Sequence, residues 1–411
     1  MPGARRHLFV GCHSGPPSDD VPGNHAMTRA LFLTHTAAPS GAELATLRLL
    51  TALRAGGGAE VAMAYTEDGP MVGRTRARGI ETRVLRSGFD SRAMTIGSGP
   101  LRLAAGFLGL LRLGWRLGAL ARELSADVLV AQSTKALVMG LVGARRARIP
   151  LIWQVHDRIS VDYFGRLPVL AIRLLGHCAD GYLANSRTTL RTLRTGRKPA
   201  VIAYPGVEFG ADPPPREQHP PADTVIAALG RLTPWKGQDV LLRAVAMMKV
   251  RPRQVFLVGG SFFDEEPYRA RLERMAAGLA LPVTFTGHVD DPETYLRAAD
   301  ILVHCSVLPE PFGQVVVEGM RAGCAVIATR PGGPAEIITD GVDGLLVEPG
   351  DPVRLAAALD ALVADPERRA RIAAAGRARA EDFGIAESAG IVADFLTTCA
   401  RRRTAEAKTH G

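Results

Sequence analysis

The sequence predicts an α/β protein built from two Rossmann-like domains, with parallel sheets that face an interdomain cleft. Short apolar runs alternate with longer amphipathic runs along the chain, as is typical of parallel sheets covered by helices on both faces. A proline-rich stretch interrupts this alternation once, and the alternation then restarts. Aromatic residues make up only 5% of the 411 residues, so the core must be aliphatic, which suits helices packed on strands.

The N-terminal domain is predicted to cover residues 28–206, after a disordered extension formed by residues 1–27. Strands and helices alternate through it. Strands are expected at Ala30–Leu33, Val61–Tyr65, Val128–Ala131, Pro150–Trp153 and Gly181–Ala184, and helices at Glu43–Arg54, Leu101–Arg122 and Val169–Cys178.

Residues 207–223 contain five prolines and are expected to form a semi-rigid linker, because proline ends helices and central strands. A second domain is predicted over residues 224–384, followed by a C-terminal helix and tail at 385–411. Its expected strands are Val225–Leu229, Val255–Val258, Val283–Phe285, Ile301–His304 and Ala325–Ala328, and its expected helices are Gly237–Lys249, Pro267–Leu279, Gln314–Ala322, Val353–Ala364 and Pro366–Ala380.

Composition excludes several classes of protein. The five cysteines are far apart and form no C-x-x-C pair, which argues against zinc ribbons, thioredoxin-like enzymes and disulfide scaffolds. No segment reaches the ~18–20 apolar residues of a membrane span, and residues 1–26 lack the apolar core of a secretory signal. We therefore expect a cytoplasmic protein with free thiols.

The net charge of +9 favours anionic partners, although a coding bias toward arginine would produce the same excess. A Leu-rich segment with four arginines at residues 99–124 could lie on the inner face of an anionic membrane, or it could be an ordinary surface helix. Nucleic acid is not an expected partner, because the arginines are dispersed and not interleaved with aromatic residues.

A basic loop follows the predicted strand at residues 225–229. Arg231 supplies a planar fork of donors, and Lys236 supplies a compact charge five residues later. The loop opens a helix, where phosphate-binding loops occur. We expect both cations to bind a diphosphate, and the alternative is a basic turn with surface charges.

A second loop follows the predicted strand at residues 301–304. Gly313 and Gln314 should open a helix whose free amides and positive dipole end suit a phosphate. Glu310 precedes this helix and Glu318 lies inside it, so both could reach one site. The alternatives are a turn residue for Glu310 and an ordinary surface acid for Glu318.

Two positions in the N-terminal domain also follow predicted strands. Gly41 lies between the first strand and the first helix, and His156 follows the strand at residues 150–153. A lone histidine is more often structural than catalytic, but the position of His156 at the carboxyl end of a strand makes a catalytic or sugar-binding role equally plausible. There is no G-x-G-x-x-G, which argues against a dinucleotide cofactor, and no Asp-x-Asp to hold a divalent metal. We therefore expect neither a metal nor a cofactor.

Taken together, these segments resemble family 4 of the retaining glycosyltransferases, also called glycosyl transferases group 1, which have the GT-B fold. The residues that carry the resemblance are Gly230-Arg231-Leu232 with Lys236-Gly237, and Glu310-Pro311-Phe312-Gly313 with Glu318 eight positions after Glu310. Gly332-Gly333 with Glu336 supports it. The similarity covers about residues 28–385 and is strongest from 224 to 365.

The resemblance implies a nucleotide-sugar bound mainly by the second domain. Arg231, Lys236 and the amides of Gly313 and Gln314 would bind the diphosphate, with Gly41 close to it from the first domain. Glu318 would bind the ribose, Glu310 the transferred sugar, and His288 and Val289 the base. His156 would lie near the sugar. Gln314 departs mildly from the family, where an aliphatic residue is common.

The expected activity is thus a retaining, metal-independent hexosyl transfer from a nucleotide-diphosphate sugar, which is a co-substrate, to a hydroxyl acceptor. That acceptor could be a glycan, a lipid-linked sugar or a natural product. A GT-B nucleotide-sugar epimerase is one alternative, but no clear set of extra acid and base residues is present. The other alternative is a protein that binds a nucleotide-sugar without catalysis. Such a protein should lack Glu310, Lys236 or His156, and all three residues are present.

Overall fold

The computed structural model describes residues 27–86, 100–208, 219–261 and 265–409, with the backbone alone for residues 100–104 and 404–409. The chain forms two compact units. The first unit comprises the described residues up to Gly206 together with those from Ile385 onward, and the second comprises those from Val207 to Gly384. All but the last residue of the proposed extension at residues 1–27, and most of the proposed linker, lie outside the described residues.

The first unit contains a parallel sheet of seven strands in the order β3-β2-β1-β4-β5-β6-β7. Strands β4 and β5 are buried along their whole length, as expected for central strands covered on both faces. The strands are β1 (Arg29–Thr34), β2 (Glu60–Tyr65), β3 (Glu81–Val84), β4 (Val128–Ala131), β5 (Leu151–Val155), β6 (Gly181–Ala184) and β7 (Ala200–Ile202).

Helices cover both faces of this sheet. The side chains of β1 alternate between two cores: Leu31 and Leu33 pack with the helices of one face, and Phe32 packs with those of the other. The helices up to Gly206 are α1 (Gly41–Ala55), α2 (Pro70–Ala77), α3 (Pro100–Glu123), α4 (Thr134–Ala147), α5 (Val161–Phe164), α6 (Arg166–Gly176) and α7 (Arg187–Leu190). Helices α3, α4 and α6 share the core of Leu31, whereas α1 and α2 share the core of Phe32.

The second unit contains a parallel sheet of six strands in the order β10-β9-β8-β11-β12-β13. Its strands are β8 (Val225–Leu229), β9 (Gln254–Val258), β10 (Val283–Gly287), β11 (Ile301–His304), β12 (Ala325–Thr329) and β13 (Leu345–Val347). Its helices are α8 (Gln238–Met247), α9 (Glu266–Gly278), α10 (Glu293–Ala298), α11 (Gln314–Arg321), α12 (Pro334–Ile337), α13 (Pro352–Ala364) and α14 (Pro366–Ala380).

Side-chain caps fix the starts of α13 and α14. Asp351 accepts hydrogen bonds from the amides of Val353 and Arg354, and Asp365 accepts one from the amide of Arg368. A proline follows each aspartate at the first helical position, where its missing N–H costs nothing. These local signals explain why the predicted bounds of both helices agree with the structure to within one residue.

The last helix, α15 (Ile385–Thr409), returns to the first unit. Val392, Phe395 and Leu396 are buried in the core shared with α1 and α2. The segment predicted as a C-terminal helix and tail thus supplies part of the first unit's core.

The two parallel sheets with helices on both faces confirm the predicted α/β class. All ten predicted strands are present, with bounds shifted by no more than two residues. In each sheet the strand order reverses at one point, between β1 and β4 and between β8 and β11. Ligands of open α/β sheets bind at the carboxyl ends of the strands beside such a point. Within the described part of the chain, no helix is both long enough and apolar enough to cross a membrane.

Candidate active site

The centre of the second unit's site is an ion pair between Lys236 and Glu310. Lys236 ends a short 3-10 turn (Pro234–Lys236) after β8, and Glu310 lies in the loop after β11, so the pair joins the two strands at which the order reverses. The Lys236 Nζ donates to both carboxylate oxygens at 2.9 Å, and the two side chains are only 16% and 13% exposed. The predicted cation and the predicted acid are therefore in direct contact.

Close packing of the backbone brings these two loops together. Gly237 has a φ of +70°, and a Cβ there would lie 2.1 Å from the carbonyl oxygen of Cys305. Only glycine fits this approach, so Gly237 holds the loop of Lys236 against the end of β11. The indole of Trp235 flanks the cation, with the Nζ of Lys236 4.4 Å from the ring centroid.

Two further side chains hold Glu310. The Oγ of Ser306 donates to its Oε2 at 2.9 Å, and the Nε2 of His304 lies 3.2 Å from the same oxygen. Burial alone would raise the pKa of Glu310, but Lys236 and then His304 outweigh it and hold this pKa well below its usual range. Glu310 is therefore a carboxylate at any working pH.

His304 and Ser306 were not among the predicted site residues. His304 is the last residue of β11, and its side chain is only 2% exposed. A histidine that ends an otherwise apolar strand, two residues before a serine, was the available signal.

Arg231, the second predicted cation, binds another acid. Its Nε lies 3.2 Å from Glu265, just before α9, and its side chain is 37% exposed. Glu265 was not predicted. Each of the two predicted cations thus has its own carboxylate partner in this structure, and the half-exposed Arg231 is the more accessible of the two.

The predicted helix N-terminus is present after this loop. Gly313 is the N-cap of α11 with a φ of +90°, and Gln314 is the first helical residue. The Nε2 of Gln314 donates to Glu318 at 2.6 Å one turn further along. The carbonyl oxygen of Glu310 accepts from the amide of Gly333 at 2.9 Å, which fixes the loop before the helix.

His288 and Val289 follow β10, two strands away from β8 in the sheet. His288 is exposed and Val289 is half-buried. The amide of Gly259 donates to the carbonyl oxygen of Gly287 at 3.1 Å, which ties the loop after β9 to the residues predicted to bind the base.

Gly41 and His156 belong to the first unit. Gly41 is the exposed first residue of α1, and a Cβ there would contact nothing within 4 Å among the described residues. His156 follows β5, and its Nε2 is buried with no hydrogen-bond partner among the described residues. Burial lowers the pKa of His156 to about 4, so the imidazole is neutral near pH 7.

Asn185, after β6, positions His156. Its Nδ2 donates to the carbonyl oxygen of His156 at 2.8 Å, while its Oδ1 is buried without a partner among the described residues. A pocket of the first unit is lined by both residues together with Gln154, Tyr204 and Ser388. Asn185 was not predicted as a site residue.

The described residues contain no group of three or more His, Cys, Asp or Glu side chains that could hold a metal ion.

Comparisons with known proteins decide the family. The model for glycosyl transferases group 1 matches residues 213–379, and that for Glycosyltransferase Family 4 matches residues 39–209. The lipopolysaccharide core biosynthesis glycosyltransferase LpsD of Rhizobium meliloti is 32% identical over 316 residues, which are 74% of this chain and 86% of LpsD. The chain belongs to the group 1 glycosyltransferases.

This glycosyltransferase is also 31% identical over 297 residues to a D-inositol 3-phosphate glycosyltransferase of Thermobispora bispora, covering 64% of this chain and 68% of that protein. The crystal structure of Anabaena HepE in complex with UDP-glucose is similar with a TM-score of 0.76 and 26% identity, covering 90% and 99% of the two chains. WaaG, a glycosyltransferase of lipopolysaccharide biosynthesis, shares the fold at 16% identity and a TM-score of 0.63.

These findings confirm the predicted family, the GT-B class of fold and the prediction of a glycosyltransferase that uses a nucleotide-sugar. They do not favour the epimerase or the non-catalytic binder.

Proposed function

We propose that this glycosyltransferase moves a hexose from a nucleotide-diphosphate sugar to a hydroxyl acceptor, with retention of anomeric configuration and without a metal. The observation that carries the proposal is the largely buried Lys236–Glu310 pair at the carboxyl ends of β8 and β11. A cation and an ionised acid at this point of the sheet provide one group for the leaving diphosphate and one for the sugar.

The diphosphate would be bound by Lys236, Arg231 and the amides of Gly313 and Gln314. Amides at a helix N-terminus have no partner within the helix, and the helix dipole adds positive charge there. Negative charge grows on the diphosphate as the anomeric bond breaks, so fixed donors of this kind stabilise the transition state more than the ground state. The exposed backbone at Gly41 would approach the same phosphates from the first unit.

Lys236 would exchange partners when the donor binds. Without a donor it neutralises Glu310, and a diphosphate would draw its Nζ away from that carboxylate. Glu310 would stay in place because Ser306 and His304 still hold its Oε2, which leaves its Oε1 free to accept from a sugar hydroxyl. Lys236 thus has an anionic partner in each state, and Glu310 keeps its hydrogen bonds to Ser306 and His304 when the donor is bound.

The remaining predicted residues take roles that fit their exposure. Glu318 would accept from the ribose hydroxyls, and His288 and Val289 would flank the base. His156, neutral near pH 7, would present its unpartnered Nε2 to a hydroxyl of the transferred sugar. A neutral imidazole suits this role because it does not add positive charge beside the developing oxocarbenium ion.

A uridine diphosphate hexose is the first donor to test, because HepE, at 26% identity, was crystallised with UDP-glucose. Retention would follow from front-face attack by the acceptor hydroxyl, with a leaving phosphate oxygen taking its proton. Arg231, Lys236 and the α11 amides would supply the charge compensation that other sites take from a divalent cation. The acceptor would be a hydroxyl of a glycan, a lipid-linked sugar or a small glycoside, available in the cytoplasm.

The proposal is tested by melting the protein with UDP-, GDP-, ADP- and TDP-sugars, because a ligand that binds the native state raises its melting temperature. We expect one nucleotide class to raise it for the wild type and for Lys249→Ala, which removes an exposed lysine of the same unit. Lys236→Ala should lose this shift. An equal shift in Lys236→Ala would remove Lys236 from the diphosphate site.

A further inference from the structure

Helix α6 exposes a row of leucines on its outer face. Leu167, Leu170 and Leu174 are 81%, 54% and 60% exposed. Their spacing places them along one side of the helix, opposite Val169 and Ile172, which are buried in the core. A surface helix normally presents polar residues on this side, so α6 is apolar both toward the core and away from it.

The neighbouring elements extend this apolar surface. Within the described part of the chain, eight of fourteen large exposed apolar side chains lie on α3, α5 and α6. Helices α3, α4 and α6 share one core on one face of the first sheet, so their outer sides form one layer. Besides the α6 leucines, this layer exposes Phe107, Leu108, Trp115, Val161 and Tyr163. We call this surface the outer face.

The stretch of the chain that supplies the outer face is also basic. Residues 101–200 contain 16 Lys and Arg against 5 Asp and Glu, a net charge of +11, whereas the whole chain carries +9. The remainder of the chain is therefore slightly acidic. Arg112 and Arg116 are exposed beside Trp115, and Arg146 stacks on the Trp115 ring at 4.0 Å. Arg166 is exposed at the start of α6.

We infer that the outer face docks on the surface of an anionic lipid bilayer, with the α6 leucines inserted at the boundary between headgroups and acyl chains. Apolar residues flanked by arginines are the features that hold a helix in a membrane interface. A juxtaposed anionic leaflet attracts each basic side chain within a Debye length.

Charge distinguishes a bilayer from a second copy of this chain. A twofold dimer through the outer face would place the same surface on both sides of the interface. The exposed Arg112, Arg116 and Arg166 of one copy would then lie in the same interface as those of the other copy and repel them, whereas anionic lipid would neutralise them.

The position of α6 connects docking to the proposed function. Helix α6 begins ten residues after His156, near the carboxyl-end edge of the sheet, because helices that join parallel strands start at that edge. Docking would keep the part of the first unit that contains His156 close to the bilayer. Provided that the proposed sugar transfer is correct, this favours a lipid-anchored hydroxyl acceptor.

Vesicle flotation tests the docking directly. The probes are vesicles of phosphatidylcholine alone and vesicles that also contain phosphatidylglycerol. The triple variant Leu167→Ser, Leu170→Ser, Leu174→Ser is compared with a control, Met247→Ser, Val342→Ser, Val353→Ser, which removes apolar residues of the second unit that are 53%, 59% and 64% exposed. We expect the wild type and the control to float with the anionic vesicles alone, and the α6 variant to lose more than about tenfold in partitioning.

A variant of the arginines separates the electrostatic contribution to membrane binding from the apolar contribution of the α6 leucines. Arg112→Gln with Arg116→Gln should weaken binding to anionic vesicles and flatten its dependence on salt, while the α6 variant keeps that dependence at lower affinity. Unchanged melting temperatures and unchanged shifts with nucleotide-sugar would show that fold and donor site are intact, so that docking and the proposed transfer are judged separately.

Three results would overturn the docking proposal. The first is no flotation of the wild type with anionic vesicles. The second is an equal loss of flotation in the control variant. The third is a concentration-dependent dimer of the wild type that the α6 variant abolishes, which would make the outer face a subunit interface.

Discussion

The two units differ in whether the polar groups of their site residues already have partners. In the second unit the charged groups are paired with one another: Lys236 with Glu310, and Arg231 with Glu265. In the first unit the Nε2 of His156 and the Oδ1 of Asn185 are buried and have no partner among the described residues. One site is internally neutralised before any ligand binds, whereas the other keeps hydrogen-bonding capacity unused.

This difference follows from what each environment can tolerate. A buried charge without a partner costs several kcal/mol, so the residues proposed to bind a diphosphate need counterions while the site is empty. An unpaired neutral polar atom costs only about 1–3 kcal/mol. His156 is such a neutral group, because its low pKa keeps the imidazole uncharged near neutral pH.

The largest effect is expected from removing Lys236. Lys236→Ala should lower kcat by about 10²–10³, the loss found when one charge-stabilising donor is removed from a transition state. It should also destabilise the second unit by about 3–5 kcal/mol, because Glu310 would remain buried as an uncompensated charge. Transfer assays and urea unfolding measure the two effects.

The double variant Lys236→Met, Glu310→Gln separates stability from chemistry. Removing both charges should restore most of the stability lost in Lys236→Ala, while transfer stays close to background. Recovery of transfer in the double variant would show that the Lys236–Glu310 pair has only a structural role. The difference in charge pairing between the two units would then have no bearing on catalysis.

The next effect concerns His156 and pH. Its pKa is about 4 in the folded protein but close to 6.5 in an unfolded chain, so the unfolded chain binds the proton first as the pH falls. Stability of the first unit should therefore decrease between pH 6.5 and pH 4, by about 3 kcal/mol at most.

His156→Gln should lack this contribution, so the stability difference between wild type and variant should change with pH only within that window. Urea unfolding at several pH values measures it. His177→Gln, which replaces an exposed histidine of the same unit, is the control. Equal pH dependence in wild type and His156→Gln would contradict the neutral, buried imidazole.

A smaller effect is expected at Glu318. Glu318→Ala should weaken nucleotide binding by about tenfold, since a charged hydrogen bond to a ligand contributes roughly 1.5–3 kcal/mol. Calorimetry with a nucleoside diphosphate measures this change. Glu367→Ala, which removes a 90% exposed acid of the same unit, should leave affinity unchanged. Unaltered binding by Glu318→Ala would count against the ribose contact.

The smallest effect is expected from chelation. Transfer should continue at an unchanged rate in EDTA, because the proposed charge compensation comes from Arg231, Lys236 and the α11 amides. Loss of activity that Mg²⁺ or Mn²⁺ restores would show that the paired cations of the second unit are insufficient.

The periodicity of the sequence predicted the central strands, because each combines an apolar run with clear turn residues at both ends. Strands β3, β7 and β13 were missed, since each is an edge strand of only three or four residues. Helix α4 was not among the predicted helices, and it contains two glycines, Gly140 and Gly143. Its contact with α3 explains them: a Cβ at Gly143 would lie 3.0 Å from Leu117. Tertiary packing there outweighs local propensity.

The loops of the site could also be predicted, since each follows a strand and contains glycine and charge. The side chains that meet there could not. Glu265 comes from the segment before α9, whereas His304 and Ser306 lie together at the end of β11, and the contacts of all three depend on how the loops after β8, β9 and β11 fold. Asn185 binds the backbone rather than a charged group, so no pattern of charged residues pointed to it.

The return of α15 to the first unit has a topological consequence. Gly206 and Ile385 are 179 positions apart in the chain, yet a Cβ at Gly206 would lie 2.4 Å from the Cα of Ile385. The second unit is therefore inserted into the first at a single point, where the polypeptide leaves the first unit and returns to it. Ending the chain after residue 206 would remove α15 from the first unit. Deleting residues 207–384 and joining residue 206 to residue 385 would keep α15 in the first unit.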